Sequence, residues 1–311
     1  GLTYNISFGG DYYGSHNDQY RSSELPLLGQ KYYDVKSNPT AYSSSGFYFN
    51  WLVENKINYN TTIKDAHSIN VVLVQSAQKE TYKGDNVTAT DFPNDYIQTI
   101  SGGTVTKGAS DKTQWTIASY LARVQYSYKG KYMASAAIRA DGSSRFGKNN
   151  RWGYFPSASI AWRMEQEEFL KDVSWLNQLK LRFSYGATGN QSIDPYTTFS
   201  MYGQGSGEIS YADGTGNKTT AMVVTNLSNS SLKWEKTSSW NVGLDFGLFN
   251  SRLSGTLDIY QKKTTDLLIS RNLPGSAGFS STYYNQGSLN NKGVEFSLNA
   301  QIIDSSSWKW L

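Results

Sequence analysis

Glu165, Glu167 and Glu168 are the closest approach in this sequence to the paired carboxylates of glycoside chemistry. Neighbouring glutamates in a short helical turn more often present a solvated face, and that is the expectation for these three. Gly214-Thr215-Gly216-Asn217-Lys218-Thr219 echoes a phosphate-binding loop, but Asn217 stands where such a loop needs glycine before its lysine. It also lies in a polar stretch rather than between a strand and a helix, so it reads as a plain loop. His67 sits beside a short turn with no second metal ligand in view, which suits a turn or interfacial hydrogen bond. Neither H-E-x-x-H nor G-x-S-x-G occurs. With no Cys and only 2 His, disulfides and thiolate metal sites are excluded and a His-based active site has little material. No enzyme activity, no cofactor and no metal site is expected.

Seven charges stand out for their strand parity: Arg123, Arg139, Arg163, Arg182, Asp245, Asp258 and Glu295. Each falls on the face opposite the apolar residues of its own strand. In a soluble sandwich they would be surface residues. In a membrane barrel they would line the lumen, because Arg on the lipid face at mid-membrane costs about 2–4 kcal/mol. A second set consists of the aromatics Trp152, Tyr154, Tyr202, Tyr211, Tyr283 and Tyr284, which fall in Ser- and Tyr-rich loops. They suit contact with a substrate or a covering partner, and equally suit holding the loops together.

The elements that must position these residues are strands. Period-2 alternation recurs along the chain, and helical periodicity is nearly absent. Tyr132, Ala134, Ala136, Ile138 and Ala140 share one face, with Ser135, Arg139 and Asp141 on the other. Leu179, Leu181, Phe183 and Tyr185 alternate with Lys180, Arg182 and Ser184, and Trp240, Val242, Leu244 and Phe246 with Asn241, Gly243 and Asp245. Several runs keep phase for about ten residues, the length a tilted strand needs to cross a bilayer. Strands are expected to start near Leu2, Phe47, His67, Gln114, Lys131, Phe155, Gln178, Lys236, Arg252, Gly287 and Ser307.

Connections alternate in length. Short turns fall at 64–66, 129–130 and 250–251, and a medium one at 165–178 has room for a brief helix. Long polar segments fall at 14–45, 81–112, 143–154, 190–236 and 271–286. Tight turns at one end and long loops at the other are the pattern of an outer-membrane barrel. Tyr59, Tyr126, Tyr128, Tyr132 and Phe249 crowd the short-turn end, as an interfacial girdle would.

Composition agrees. Hydrophobic residues make up 38% and charged residues 17% of 311, with 28 Gly, 23 Tyr, 9 Trp and 6 Pro. Disorder is poor in aromatics, so the 14% aromatic content argues for many strands with wet loops. The net charge of +4, without a basic run, speaks against nucleic acid as a partner. Mean hydropathy of −0.54 does not separate soluble from barrel proteins, since a barrel alternates apolar and polar residues. The chain starts at Gly1 without Met or signal peptide, and residues 1–311 are expected to be part of a single transmembrane barrel domain. The plug domain and both true termini are expected to lie beyond them.

Several motifs bring a family into view. Arg139-Ala140-Asp141-Gly142-Ser143-Ser144-Arg145-Phe146-Gly147 runs on to Arg151-Trp152-Gly153-Tyr154-Phe155-Pro156 and Ala161-Trp162-Arg163. Leu179-Lys180-Leu181-Arg182-Phe183-Ser184-Tyr185-Gly186, Leu232-Lys233-Trp234-Glu235 and Asn291-Lys292-Gly293-Val294-Glu295 follow in order. Together they resemble the SusC/RagA family of TonB-dependent outer-membrane transporters. The resemblance implies an all-β fold, about eleven antiparallel strands of a large 22-stranded transmembrane barrel. It implies a plug, TonB acting through the missing N-terminal region, and a SusD-like surface lipoprotein as lid. It also implies energised uptake of oligosaccharide or oligopeptide across the outer membrane of Bacteroidetes-type bacteria. A passive porin and a soluble carbohydrate-binding β-protein remain as alternatives.

Overall fold

The computed structural model describes residues 1–24, 38–204, 210–212, 218–304 and 309–310. Ten long strands dominate it: β1 (Leu2–Arg21), β2 (Thr40–Ile63), β3 (His67–Thr90), β4 (Thr104–Tyr128), β5 (Tyr132–Ser143), β6 (Trp152–Arg163), β7 (Leu176–Asn190), β8 (Glu235–Leu248), β9 (Leu253–Thr265) and β10 (Ser288–Ala300). They form one sheet in which sequence order is also spatial order. The eleventh strand, expected from Ser307, begins outside the described residues; Ile303–Asp304 pairs only with Lys309–Trp310. The chain divides into two compact units, one of Gly1–Ser7, Glu54–Ala77 and Ile117–Leu311, the other of Phe8–Val53 and Gln78–Thr116.

In the first unit the registers carry the alternation across seven strands without a break. Tyr126, Ala134, Ile160, Phe183, Val242, Ile259 and Val294 stand opposite one another in turn, an apolar row from β4 to β10. One residue away runs the row Gln125, Ser135, Ser159, Ser184, Asn241, Tyr260 and Gly293, which is polar apart from its glycine. Opposite residues share a face and successive residues do not, so the sheet has one apolar and one polar side. The apolar side is the exposed one: Ile160 is 60% and Val294 66% accessible. A soluble protein would cover such a face, whereas a membrane barrel turns it to lipid.

Short turns close the strands at one end. Lys129 and Gly130 (φ 51° and 67°) and Lys64 and Asp65 (φ 52° and 51°) take the left-handed pairs that suit two-residue reversals of twisted strands. Two of the aromatics expected here, Tyr128 and Tyr132, join His67 and Trp162 in a ladder over four strands: His67 to Tyr128 at 4.9 Å, Tyr128 to Tyr132 at 6.4 Å and Tyr132 to Trp162 at 6.5 Å between ring centres. His67 also meets the Tyr126 hydroxyl through Nδ1 at 2.8 Å, which gives it the interfacial hydrogen bond anticipated for it.

Aromatics recur on the apolar parity nearer the other end, at Tyr120, Trp152 and Tyr154, with Tyr120 and Trp152 stacked at 6.1 Å. The span from Tyr120 to Tyr128 is close to the ~9–11 residues a tilted strand uses to cross a bilayer. Trp152 and Tyr154 are thus not loop residues. Both belong to β6, because pairing with β5 continues past Pro156 to Trp152, and Pro156 sits where the ladder to β7 has already ended.

Three further expectations change. The 165–178 connection carries only a 3₁₀ turn, Met164–Gln166, in place of a helix. Strands β1 to β4 run well into the segments read as loops, so the β3–β4 connection shrinks to 91–103. The loop expected at 143–154 shrinks to 144–151. The 190–236 segment does remain a long connection, with a short ladder Tyr202–Gln204 to Met222–Val224 and another pairing Tyr211 with Thr219. Positions 214–217 of the phosphate-loop echo lie outside the described residues.

Candidate functional site: the charged face of the sheet

All seven charges are brought to the polar side by register, and most arrive with partners. Across β6 to β10 the row Ala161, Arg182, Gly243, Asp258 and Glu295 is flanked by the row Arg163, Lys180, Asp245 and Thr256. The Arg182 guanidinium donates to Asp245 through Nε at 3.0 Å and Nη2 at 2.8 Å, and to Asp258 through Nη2 at 3.1 Å. Lys180 approaches Asp245 at 3.7 Å. Gly243 makes this possible, since a Cβ there would fall 2.5 Å from Arg182 Cζ and 2.6 Å from Asp258 Oδ1. Two cations therefore face two carboxylates, and Glu295 lies directly beside Asp258 without an ion pair among the described residues.

Toward the other end, Arg139 holds Asp141 through Nε at 2.8 and 2.9 Å and donates to Ser119 Oγ at 3.1 Å. Arg123 shares that face, exposed and without an ion pair among the described residues. Arg163 turns instead to Glu165, with Nε at 2.7 Å, at the short-turn end. Polar ladders such as Ser135 Oγ to Ser159 Oγ at 2.7 Å fill the space between. Pairing of this kind keeps charges stable on a partly exposed surface.

The glutamates of the 165–178 connection are not a solvated face. Glu165 also accepts the Leu179 N–H at 3.1 Å. Glu167 accepts from Lys131 Nζ and Trp162 Nε1, each at 3.0 Å, and from the Tyr132 hydroxyl. These hydrogen bonds, the tyrosine's foremost, hold the Glu167 carboxyl down at about 2. Only Glu168 behaves as expected, exposed beside Lys171. Alternation and spacing do not reveal these latches, because the partners come from three separate segments.

Phe155 of β6 and the connection residues Phe146, Ile193, Leu232 and Trp234 form a small core, with Tyr283 packed against it. Trp234 sits 5.2 Å from Phe146 and 5.5 Å from Phe155, and its Nε1 donates to the Arg151 carbonyl at 2.9 Å. Asn229 Nδ2 donates to the Tyr283 carbonyl at 2.9 Å and Arg145 Nη1 to the Ile193 carbonyl at 2.6 Å. So Tyr283 is spent on packing. Tyr284 lies 6.0 Å from the Arg271 guanidinium, and Tyr202 is left exposed. In the second unit Asp95 gathers donors from Tyr20, Ser22 and Ser23, which hold its carboxyl at about 2. Among the described residues no cluster of side chains could hold a metal ion.

A family model described as TonB dependent receptor-like, beta-barrel matches residues 1–311. The chain belongs to this family. It is a segment of an outer-membrane barrel, where an exposed apolar sheet face is the kind that meets lipid. TonB-dependent receptor P39 of Formosa agariphila is 33% identical over 313 residues, which is 100% of this chain and 29% of that protein. TonB-dependent receptor SusC of Bacteroides thetaiotaomicron is 42% identical over 200 residues, 64% of this chain and 20% of that one. The structure of the RagAB peptide transporter superimposes with a TM-score of 0.86 at 26% identity, over 99% of this chain and 33% of that chain. The SusC/RagA resemblance therefore holds, in relatives from Bacteroidetes, and this chain spans about a third of their length. With location in the outer membrane, the soluble alternative falls away.

Proposed function

We propose that residues 1–311 are part of the single transmembrane barrel of a longer SusC-type importer, which takes up oligosaccharide or oligopeptide with energy delivered through TonB. The observation that supports this reading is a sheet with one exposed apolar face and an opposite face that carries Arg123, Arg139, Arg182, Asp245, Asp258 and Glu295, with Arg163 at its foot; on this reading the second face lines the lumen. A cargo rich in hydroxyls or amides exchanges hydrogen bonds with such a lining, and the linked ion pairs keep it from collapsing onto the cargo. The long external connections fit capture and a covering SusD-like lipoprotein, with Tyr202 and Tyr284 as aromatic contacts and Tyr211 in the same loop. Relatives named SusC and RagAB peptide transporter support the class. The energy source and the lid rest on that likeness.

The test is uptake of a labelled oligomer by cells carrying the complete transporter. Collapse of the proton gradient, or deletion of the neighbouring lipoprotein gene, should abolish it. Undiminished uptake under both conditions would make the protein a passive porin.

A further inference from the structure

The lipid-facing wall carries a defined hollow. Ala134 on β5 forms its floor, and Tyr126, Tyr132, Ile160, Trp162 and Phe183 stand around it. Its volume is about 360 Å3. The register explains it: Ala134 lies between Tyr126 on β4 and Ile160 on β6, so a single methyl sits between two large side chains. Walls of this kind usually swing, but two of these are pinned. Glu167 accepts from both the Tyr132 hydroxyl and Trp162 Nε1, and Tyr132 and Trp162 lie stacked within 16° of parallel.

The hollow lies near the short-turn end, where Tyr132 and Trp162 of its wall adjoin the 129–131 turn; that end is periplasmic in an outer-membrane barrel. Two lysines flank that end in the turn. Lys131 is taken by Glu167. Lys129 is exposed, with its ammonium 5.5 Å from the centre of the Tyr128 ring and no carboxylate partner among the described residues. The turn is fixed, since the Lys129 N–H donates to the Ala66 carbonyl at 2.6 Å. An apolar seat at membrane depth, walled by immobilised rings and topped by an unpaired cation at headgroup level, is complementary to a molecule with a hydrocarbon chain and an anionic head.

We infer that this hollow seats one acyl chain of an anionic phospholipid of the periplasmic leaflet, with the Lys129 ammonium meeting its phosphate. This inference rests on the outer-membrane location and is independent of what the protein imports. The bound lipid would stiffen the wall where Glu167 ties the 165–178 connection to β5 and β6.

The experiment uses the complete transporter, purified in detergent and supplied with phosphatidylglycerol or with phosphatidylcholine of the same chains. Native mass spectrometry should show one phosphatidylglycerol retained per chain in preference to phosphatidylcholine. Ala134→Phe, which fills the hollow, should lose it. Lys129→Gln should weaken phosphatidylglycerol retention roughly fivefold, the scale of one interfacial cation, and leave phosphatidylcholine unchanged. Should Ala134→Phe fail to insert, quenching by chain-brominated phosphatidylglycerol decides. The wild type should be quenched more than Trp162→Phe, and equal quenching would overturn the site. Equal retention of both lipids, or retention unchanged by Ala134→Phe, would also overturn it. Loss of a dimer in Ala134→Phe without loss of lipid would assign the hollow to a second copy of the chain.

Discussion

At Gly243 the absence of a side chain is what lets Arg182 reach two carboxylates from neighbouring strands. The atoms that an added methyl would meet are the far ends of flexible side chains, not backbone. Gly243→Ala should therefore leave strand pairing intact while pushing the guanidinium off Asp258, at a cost on the order of 1 kcal/mol for a partly exposed pair. Thermal unfolding of the detergent-solubilised transporter would register that, with Asp258→Asn as the comparison; additive losses in the double variant would show that the two residues do not communicate. Glu167 makes a second residue-level prediction. Its folded value of about 2 lies below its ordinary 4.5, so its contribution is complete above about 4.5 and is lost as pH falls toward 2. Acid titration followed by Trp162 fluorescence should show a transition in that window, and Glu167→Gln should flatten it. A transition unchanged in the variant would place the titrating group elsewhere. Neither residue was legible from pattern alone: Gly243 looks like an ordinary polar-face position, and the partners of Glu167 come from β5, β6 and a turn.

Strands were legible where hydrophobic contrast exists and illegible where it fades. In the bilayer the two faces differ sharply, so β5, β7 and β8 could be placed to within a few residues by alternation. Beyond the bilayer both faces are wet. Ser, Thr and Asn then occupy both parities, and β1 to β4 continued through stretches that read as loop, such as Thr81–Thr90, with nothing periodic to mark them. Pro156 does not end β6, since a proline past the end of one ladder still allows pairing on the other side. The parity assignment predicts an asymmetry at neighbouring residues of β8. Leu244 pairs with Leu181 and Leu257 on the apolar side, while Asn241 pairs with Ser184 and Tyr260 on the polar side. Leu244→Lys should cost about 2–4 kcal/mol in lipid if near the bilayer midplane, and Asn241→Lys far less. Equal losses in urea unfolding from vesicles would overturn the face assignment.

Across the molecule, wall and rim draw on different residues for their stability. The wall is a set of registers: apolar rows from β4 to β10 and aromatics at the interface positions, none of which includes Trp234. The rim is a packed core in which Phe146, Ile193, Leu232 and Trp234 of the connections meet Phe155 of β6. Three of the motif residues beyond the strands, Phe146, Leu232 and Trp234, fall in this core, where they serve packing. Trp234→Ala removes a ring held by Phe146, Phe155 and the Arg151 carbonyl, a loss of about 3–5 kcal/mol for a buried aromatic. Because membrane insertion draws on the wall, the variant should still migrate as a folded, heat-modifiable barrel in gel electrophoresis. On the proposed function capture draws on the rim, so uptake of oligomer by the complete transporter should fall, and proteases should cleave the 190–236 connection faster. A variant that no longer folds into the membrane would show that the rim core forms before the wall closes and guides it. Full uptake with a protease-sensitive rim would show that the cargo passes without touching the connections this core holds.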